Sequence, residues 1–147
     1  MEKAYDRVEW DYLKGIMLKL GFHENFVSLV MRCMTSVSFP IKVNGVLSDA
    51  FSPTRGLRQG DPISPYLFLL CAEGLSSLLK SVGPLHLSRG VRVGIHAPWV
   101  SHLLFADDCI VFSEGSQRGA ARLQEILDTY SRGSGQQVNR DKSAVFF

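Results

Sequence analysis

The sequence is poor in cysteine, contains no long apolar run and shows no large excess of one charge sign. Its three cysteines, Cys33, Cys71 and Cys109, are an odd number and lie far apart, which excludes a dense disulfide framework. None of them stands at zinc-site spacing from a histidine. The strongest apolar run, 66–72, is far shorter than the roughly 20 residues that cross a bilayer. We therefore expect a reduced, intracellular protein without a membrane partner.

The first ten residues, MEKAYDRVEW, are charged and contain no apolar stretch, so no secretory signal is expected. Sixteen basic and fourteen acidic residues give a net charge of +2, which is too small to indicate a nucleic-acid partner by itself. Hydrophobic residues make up 46% of the sequence and charged residues 20%, which predicts a packed core rather than disorder. The length of 147 residues is typical of one domain.

Four segments show the spacing of amphipathic helices. The first helix is expected to be capped by Asp6, in a capping box with Glu9, and to end at Gly21. The second is expected to begin at about Glu24, and the third to be capped by Ser64. The fourth is expected to run from Ser116 to Gly133. The residues expected on buried faces are Leu13, Ile16, Met17, Leu20, Phe26, Val27, Val30, Met31, Met34, Leu67, Leu70, Cys71, Leu75, Leu78, Leu79, Ala120, Leu123, Ile126, Leu127 and Tyr130.

Two hairpins are predicted between these helices. Asn44-Gly45 separates the β-prone runs 37–43 and 46–51, and this dipeptide favours a tight turn because both positions tolerate positive φ. The second hairpin lies in 101–113, with its turn near Asp107-Asp108.

Further short strands are expected at 90–95 and, after a turn at 139–141, at the C-terminal end, while 83–90 is expected to be a loop. Helices mixed with antiparallel hairpins, without a regular βαβ repeat, predict an α+β fold.

Asp107 and Asp108 are adjacent carboxylates between two apolar strands. A turn can bring both toward one pocket, although neighbours on a straight strand point to opposite faces. Two adjacent anions repel each other unless a cation compensates, and Mg²⁺ prefers carboxylate oxygens as ligands. The pair therefore indicates a candidate metal site, and a solvated Asp-Asp turn is the alternative that turn chemistry alone favours.

The segment 55–65, RGLRQGDPISP, combines glycine with cationic side chains. Gly56 and Gly60 allow close approach of the backbone to a ligand, and Arg55 and Arg58 supply charge for phosphate. Gln59 offers both a donor and an acceptor, and the N-terminus of the third helix adds backbone donors aimed the same way. An ordinary loop before a well-capped helix is the alternative interpretation.

Together these segments resemble the reverse transcriptase domain of LINE-type (non-LTR) retrotransposons, especially the plant forms. KAYDRVEW resembles the sequence that follows the first catalytic carboxylate of motif A, RGLRQGDPISPYLF resembles motif B, FADD resembles motif C, and GQQVNRDKS resembles motif D. The motifs stand in family order over essentially the whole chain. The resemblance implies a polymerase palm subdomain with part of the fingers, so that residues 1–147 form a partial reverse transcriptase domain.

The resemblance also implies roles for individual residues. Asp107 and Asp108 would be ligands of catalytic Mg²⁺, and Lys142 would match the motif D lysine that protonates the leaving pyrophosphate. Tyr5 would lie beneath the sugar of the incoming nucleotide, where it discriminates deoxyribose from ribose. Gln59 and Gly60 would line the nucleotide and template pocket. The implied partners are an RNA template, a DNA primer and deoxynucleoside triphosphates.

One departure from the family concerns motif A. Its metal-binding Asp, aligned through Ala4, would stand immediately before Met1, so we expect this chain to lack a third metal ligand together with the motif A strand and the thumb. Asp6 stands too far along the chain to replace that ligand. We therefore expect a palm fragment with little or no polymerase activity alone. An open sheet edge is expected to pair with further polymerase segments or with a second copy.

Two other interpretations remain from the sequence. The first is a non-catalytic nucleic-acid-binding remnant that uses Arg55, Arg58, Arg140 and Lys142 on phosphates. The second is a fragment that never folds stably. Binding with a marked salt dependence but no primer extension favours the former, and cooperative thermal unfolding argues against the latter.

Overall fold

Four α-helices and two small antiparallel sheets make up the regular structure of the computed structural model, which describes residues 1–81, 90–113 and 115–146. The helices are α1 (Trp10–Lys19), α2 (Glu24–Thr35), α3 (Ser64–Ser81) and α4 (Gln117–Ser134). The strands are β1 (Lys42–Val43) paired with β2 (Val46–Leu47), and β3 (His102–Phe105) paired with β4 (Asp108–Val111). This mixture of helices and antiparallel hairpins confirms the α+β class.

The prediction that Asp6 caps α1 was wrong. The helix begins at Trp10, its N-cap is Glu9 in an extended conformation, and no side chain caps it. The residues just before the helix make hydrogen bonds with distant parts of the chain instead of with the helix. Glu9 donates its backbone N–H to the Ser134 carbonyl (2.9 Å), and the Val8 carbonyl accepts from the N–H of Gly56 (2.8 Å). The chain therefore bends before it can become helical.

The C-terminal end of α1 follows the prediction. Gly21 has a φ of +89°, and the next residue, Phe22, donates its N–H to the carbonyl of Met17 at 3.1 Å. This arrangement satisfies a carbonyl of the last turn and requires the left-handed conformation that glycine adopts easily.

At α4 the predicted start is confirmed and the predicted end is not. Ser116 caps the helix by accepting from the backbone N–H of Gly119. Gly133 lies inside the helix, and the left-handed residue that ends it is Gly135, with a φ of +77°. Gly135 comes directly after the last helical residue, where a left-handed conformation ends helices.

Buried side chains from α1, α2, α3 and α4 form two neighbouring clusters. Most of the residues that were expected on buried helix faces are buried or half-buried, but Leu20, Phe26 and Ala120 are exposed. The buried residues of the two clusters are Ala4, Val8, Leu13, Met17, Val27, Val30, Leu57, Leu67, Phe68, Cys71, Leu75, Leu79, Ile126 and Tyr130. The helices thus hide their apolar faces against one another.

Tyr12 connects three of these helices. Its hydroxyl donates to the carbonyl of Cys71 at 3.3 Å, and its ring meets Tyr130 edge-on with centroids 6.0 Å apart. A Cβ atom at Gly74 would overlap the Tyr12 hydroxyl, so the absence of a side chain at position 74 allows this close approach.

The β1–β2 hairpin has the predicted Asn44-Gly45 turn, with φ values of +50° and +86°. Its strands are much shorter than the predicted runs, and an isolated bridge between Phe39 and Phe51 continues the pairing. All residues from 41 to 50 are exposed. With no packed face to extend the ladder, pairing is confined to the turn and one bridge.

Two other strand predictions were wrong within the described residues. The segment 90–95 makes one isolated bridge, between Val91 and Val100, and residues 143–146 form no strand. A 3-10 helix, Arg140–Lys142, occupies the predicted turn at 139–141. Phe147 and most of the predicted loop at 83–90 lie outside the described residues. Among the described helices, none is both long and apolar enough to span a bilayer.

Candidate active site

The β3–β4 hairpin carries the paired carboxylates at its tip. Phe105 and Asp108 are the last paired residues, so Ala106 and Asp107 form the loop and Asp108 begins β4. Ala106 has a φ of +50°, in the left-handed region that a tight turn of this hairpin requires. The turn is therefore one residue earlier than predicted, and both carboxylates are exposed.

The N-terminus of the chain lies beside this tip. The ammonium of Met1 donates a hydrogen bond of 2.7 Å to the carbonyl oxygen of Asp107. Burial raises the pKa of the Cys109 thiol, and the nearby ammonium acts in the opposite direction. A residue joined to the Met1 nitrogen would therefore start next to Asp107 and Asp108.

The carboxylate pair fits part of a site for a hard divalent cation. Oxygen ligands suit Mg²⁺, and two carboxylates come from one hairpin. In residues 1–81, 90–113 and 115–146, however, no three or more histidine, cysteine, aspartate or glutamate side chains are grouped so that they could hold a metal ion. The described chain thus brings two carboxylates to this hairpin tip, and a divalent cation bound there would need further ligands.

The first half of the 55–65 segment packs against the start of the chain. Gly56 donates to the Val8 carbonyl, and its own carbonyl accepts from the indole N–H of Trp10 at 2.7 Å. A Cβ at Gly56 would lie 2.9 Å from the carbonyl oxygen of Asp6. The close approach predicted for a ligand at Gly56 is therefore made by the protein's own backbone.

Gly60 stands in a different environment. It has a φ of +87°, and a Cβ built there would meet no atom within 4 Å. Together with Tyr5, Gln59, Asp61, Ser64 and Pro65 it lines a cavity of about 500 Å³ at the start of α3. The structure thus brings Tyr5, Gln59 and Gly60, which the family resemblance places in the nucleotide pocket, to the walls of one cavity.

The Tyr5 ring is held on one side by stacking. It lies parallel to Phe68, with centroids 4.8 Å apart and planes inclined by 6°. The backbone carbonyl of Tyr5 accepts from Leu57 at 2.8 Å, which ties it to the 55–65 segment. Asp61, whose carboxylate accepts from the backbone N–H of Ile63, is a further lining residue that sequence reasoning missed although it stands inside the same motif.

Arg55 and Arg58 already have intramolecular partners. Arg55 forms an ion pair of 3.3 Å with Glu9, and the Arg58 guanidinium lies 5.7 Å from the centroid of the Phe39 ring. Both arginines are exposed, so the contacts orient the side chains without removing them from solvent. An exposed ion pair contributes little stability and is readily exchanged for an anionic ligand.

A second cavity of about 770 Å³ adjoins the first one, since Gln59, Asp61 and Ser64 line both. Its other walls are mostly apolar. They come from α2, from residues between 37 and 58, and from Asp6, Trp10, Ile63 and Leu67. Phe26, which was expected in the core, lines this cavity instead and is 45% exposed. Helical periodicity identifies an apolar face but does not tell a packed face from a cavity wall.

Lys142 lies in the 3-10 helix and is exposed; its backbone N–H donates to the Asn139 side chain at 3.1 Å. In the described part of the chain, no hydrogen bond or ion pair joins the Lys142 side chain to Asp107 or Asp108. The structure therefore places Tyr5, Gln59 and Gly60 on one cavity and Asp107 and Asp108 at one hairpin tip. Among the described residues, no contact joins Lys142 to either carboxylate.

A sequence model of the family described as "Reverse transcriptase (RNA-dependent DNA polymerase)" matches residues 1–147. Among curated proteins, an uncharacterized mitochondrial protein of Arabidopsis thaliana is 50% identical over 66 residues, which are 45% of this chain and 54% of that protein.

The relatives that match nearly the whole chain include two transposon proteins. The Transposon TX1 uncharacterized 149 kDa protein of Xenopus laevis is 30% identical over 97% of the chain, which covers 10% of that protein. The retrovirus-related Pol polyprotein from type-2 retrotransposable element R2DM of Drosophila melanogaster is 30% identical over 97% of the chain, which covers 13% of it. The chain thus spans about half of the mitochondrial relative and a small part of the two transposon relatives.

Proposed function

Because the chain belongs to the reverse transcriptase (RNA-dependent DNA polymerase) family, we propose that it forms the palm and part of the fingers of a retrotransposon polymerase. The observation that supports this assignment most directly is the cavity at the start of α3. Tyr5 and the pair Gln59-Gly60 are far apart in sequence, yet they line the same cavity. In this proposal the cavity receives a deoxynucleoside triphosphate opposite an RNA template.

The cavity residues would hold the nucleotide by complementary chemistry. The Tyr5 ring offers an apolar surface for the sugar, and Gln59 offers a donor and an acceptor. Arg55 and Arg58 are exposed cations beside the cavity and would bind phosphate oxygens. Lys142 is proposed to donate a proton to the leaving pyrophosphate, after movement of the segment that carries it or of the substrate.

Asp107 and Asp108 are the residues that would hold Mg²⁺. When bound, the metal would supply charge neutralisation at the primer hydroxyl and at the leaving oxygen. The protein's own contribution is to place two carboxylates at a hairpin tip. With only this pair in the described residues, we propose that the 147-residue chain alone extends primers very weakly.

The contribution of a third carboxylate can be tested at the N-terminus. The Met1 nitrogen lies 2.7 Å from the Asp107 carbonyl, so an aspartate joined to Met1 would be attached beside the carboxylate pair. We expect the unmodified chain to show little extension of a DNA primer on an RNA template with Mg²⁺, and a chain extended by Asp to bind Mn²⁺ more tightly than one extended by Asn. Robust cDNA synthesis by the unmodified chain would contradict the proposal of inactivity.

Nucleotide recognition is tested separately from catalysis. We expect deoxynucleoside triphosphates to bind the folded chain more tightly than ribonucleoside triphosphates, and Tyr5→Ala to remove this preference. Tyr66→Ala is the matched control, because Tyr66 is an exposed tyrosine (69%) on α3 that does not line the cavity. Equal binding of both sugar types by the unmodified chain would argue against the assignment of Tyr5.

A second candidate function is nucleic-acid binding without catalysis. Arg55, Arg58, Arg140 and Lys142 are all exposed, which leaves their charges available to phosphates. In that case a primer–template would bind with an affinity that falls steeply as salt rises, and no extension would occur even with a completed carboxylate set. The N-terminal Asp variant therefore separates this function from the polymerase.

Within the described residues, the β3–β4 sheet has only two strands. Its outer edges are therefore open to pairing with further strands. We propose that these edges pair with additional polymerase segments, because the chain covers only 10% and 13% of the two transposon relatives. A molecular mass that stays monomeric as concentration rises supports this; a concentration-dependent dimer indicates pairing with a second copy instead.

A further inference from the structure

Ser134, the last residue of α4, and the three residues that follow it contact the start of the chain; we refer to Ser134–Gln137 as the clamp segment. Glu2 donates to the Gln137 carbonyl and Glu9 to the Ser134 carbonyl, each at 2.9 Å. A Cβ at Gly135 would overlap the Arg7 carbonyl oxygen, so the two backbones touch at that position. The clamp segment therefore holds residues 2–9 at both ends and near the middle.

Gln136 makes the central contact of the clamp segment with a buried amide. The side chain is 2% exposed, its Nε2 donates to the Ala4 carbonyl at 3.4 Å, and its Oε1 accepts from the Tyr130 hydroxyl at 3.1 Å. The reversed amide would set Oε1 against the Ala4 carbonyl, so that two buried acceptors would face each other without a proton between them, which is costly. The amide thus links Ala4 to the interior of the helical core through Tyr130.

The residue after Ala4 is Tyr5, which lines the small cavity. Its ring is held by Phe68 and its carbonyl by Leu57, as described above, while the preceding peptide is held by Gln136. We propose that Gln136 is a positioning residue for the nucleotide site: by fixing the Ala4–Tyr5 peptide it sets the Tyr5 ring against the sugar of the incoming nucleotide. This inference rests on the proposed function.

The consequence is that Gln136, without touching substrate, contributes to sugar selection. In Gln136→Leu, we expect the preference for deoxynucleoside over ribonucleoside triphosphates to fall roughly fivefold, which corresponds to the loss of one hydrogen bond. We also expect amide exchange at Leu57, which reports the Tyr5 carbonyl, to accelerate roughly fivefold. The control is Leu79→Ala, on α3, which lowers global stability but should leave the ratio of the two affinities unchanged.

A second variant covers the case in which Gln136→Leu does not fold. In Gln136→Glu, the protonated carboxyl can still donate to the Ala4 carbonyl, whereas the ionised carboxylate cannot. Burial disfavours the ionised form, so mildly acidic pH should restore both the sugar preference and the protection of the Leu57 amide, measured against the exchange rate of an unfolded amide at the same pH. Alkaline pH should remove both.

The outcomes distinguish the two proposals. If the unmodified chain binds no nucleotide, the proposed function fails, while the Leu57 exchange rate still shows whether Gln136 fixes the Tyr5 backbone. If it binds with a sugar preference that both Gln136 variants retain at every pH, the positioning role of Gln136 is wrong. Loss of affinity for both sugar types in equal measure, as in Leu79→Ala, also contradicts it.

Discussion

The helical core and the two hairpins differ sharply in how firmly they are held. Leu13 and Met17 on α1 and Cys71 on α3 are fully buried, whereas Val46 in β2 is 72% exposed and Phe105 in β3 is 82% exposed. The core is restrained by packing on several sides, while each hairpin is a two-stranded ladder. The carboxylates at the β3–β4 tip therefore depend on a few specific contacts, and the small cavity depends on the core.

The sharpest test of this difference compares two glycines that share a left-handed φ. Gly135 (+77°) has the Arg7 backbone against it, while Gly45 (+86°) in the β1–β2 turn faces open space. We expect Gly135→Ala to lower the free energy of unfolding by at least about 4 kcal/mol or to prevent folding, and Gly45→Ala to cost about 1 kcal/mol. Urea denaturation measures both; similar losses would show that the two backbones are equally free.

The next largest loss of stability is expected from truncating a core side chain, compared with truncating an exposed one. Leu75, at 1% exposure, packs in the core of α3 and α4, and Leu75→Ala should cost about 3 kcal/mol through lost burial and an unfilled cavity. Val46→Ala, on the exposed hairpin, should change the free energy of unfolding by no more than about 0.5 kcal/mol. A loss at Val46 as large as that at Leu75 would mean that the β1–β2 hairpin is packed in solution.

Alkaline pH should lower the free energy of unfolding through the buried acidic groups of the helical core. Burial raises the pKa of Cys71 from 9.0 to about 12, and burial is also the main cause that raises the pKa of Tyr12 and Tyr130. The unfolded chain gives up the Cys71 proton near pH 9 while the folded chain keeps it, so stability is complete below pH 9 and declines as pH rises toward 12.

We expect the decline to reach about 1.4 kcal/mol per pH unit for the Cys71 proton. Urea midpoints at pH 8 and pH 10.5 measure it, and Cys71→Ala should make the decline shallower. A midpoint that does not change over this interval would contradict the buried environment of Cys71.

The smallest expected effect concerns the link between the core and the β3–β4 hairpin. His102 Nε2 lies 3.0 Å from the hydroxyl of Ser76 on α3, and burial lowers the pKa of His102, with Lys80 acting in the same direction and Glu73 opposing it. Ser76→Ala should cost about 1 kcal/mol. Amide exchange should accelerate more at Cys109 in β4 than at Leu13 in α1.

Ser81→Ala is the matched control for this link. Ser81 is an exposed serine on the same helix, and its hydroxyl donates to the Leu78 carbonyl of that helix. If Ser81→Ala loosens the hairpin as much as Ser76→Ala does, the His102 contact does not hold it.

Sequence reasoning predicted the helices better than the strands. The Asn44-Gly45 turn, the Gly21 stop and the Ser116 cap were predictable because each depends on neighbouring residues only. The Asp6 cap was wrong because tertiary hydrogen bonds from the Gly56 and Ser134 regions bend the chain before α1. The strand at 90–95 was wrong because a β-prone run forms a ladder only where a partner strand and a packed face exist.

The family and the cavity residues Tyr5, Gln59 and Gly60 were named from motif resemblance; the match over residues 1–147 confirms the family, whereas the roles of these residues stay predictions. The clamp by Gln136 was not predictable. A glutamine in a polar tail segment carries no sign of burial, and its contact with Ala4 spans almost the whole chain. Such long-range pairs need the three-dimensional structure.

The contact of Tyr12 with Gly74 also sets the order in which substitutions at these two positions can be tolerated. Any side chain at position 74 collides with the Tyr12 hydroxyl, whereas Tyr12→Phe removes that hydroxyl first. An alanine at 74 should therefore be tolerated more readily after Tyr12→Phe than before it. Among related sequences we expect these two positions to covary, with a residue larger than glycine at 74 accompanied by loss of the tyrosine at 12.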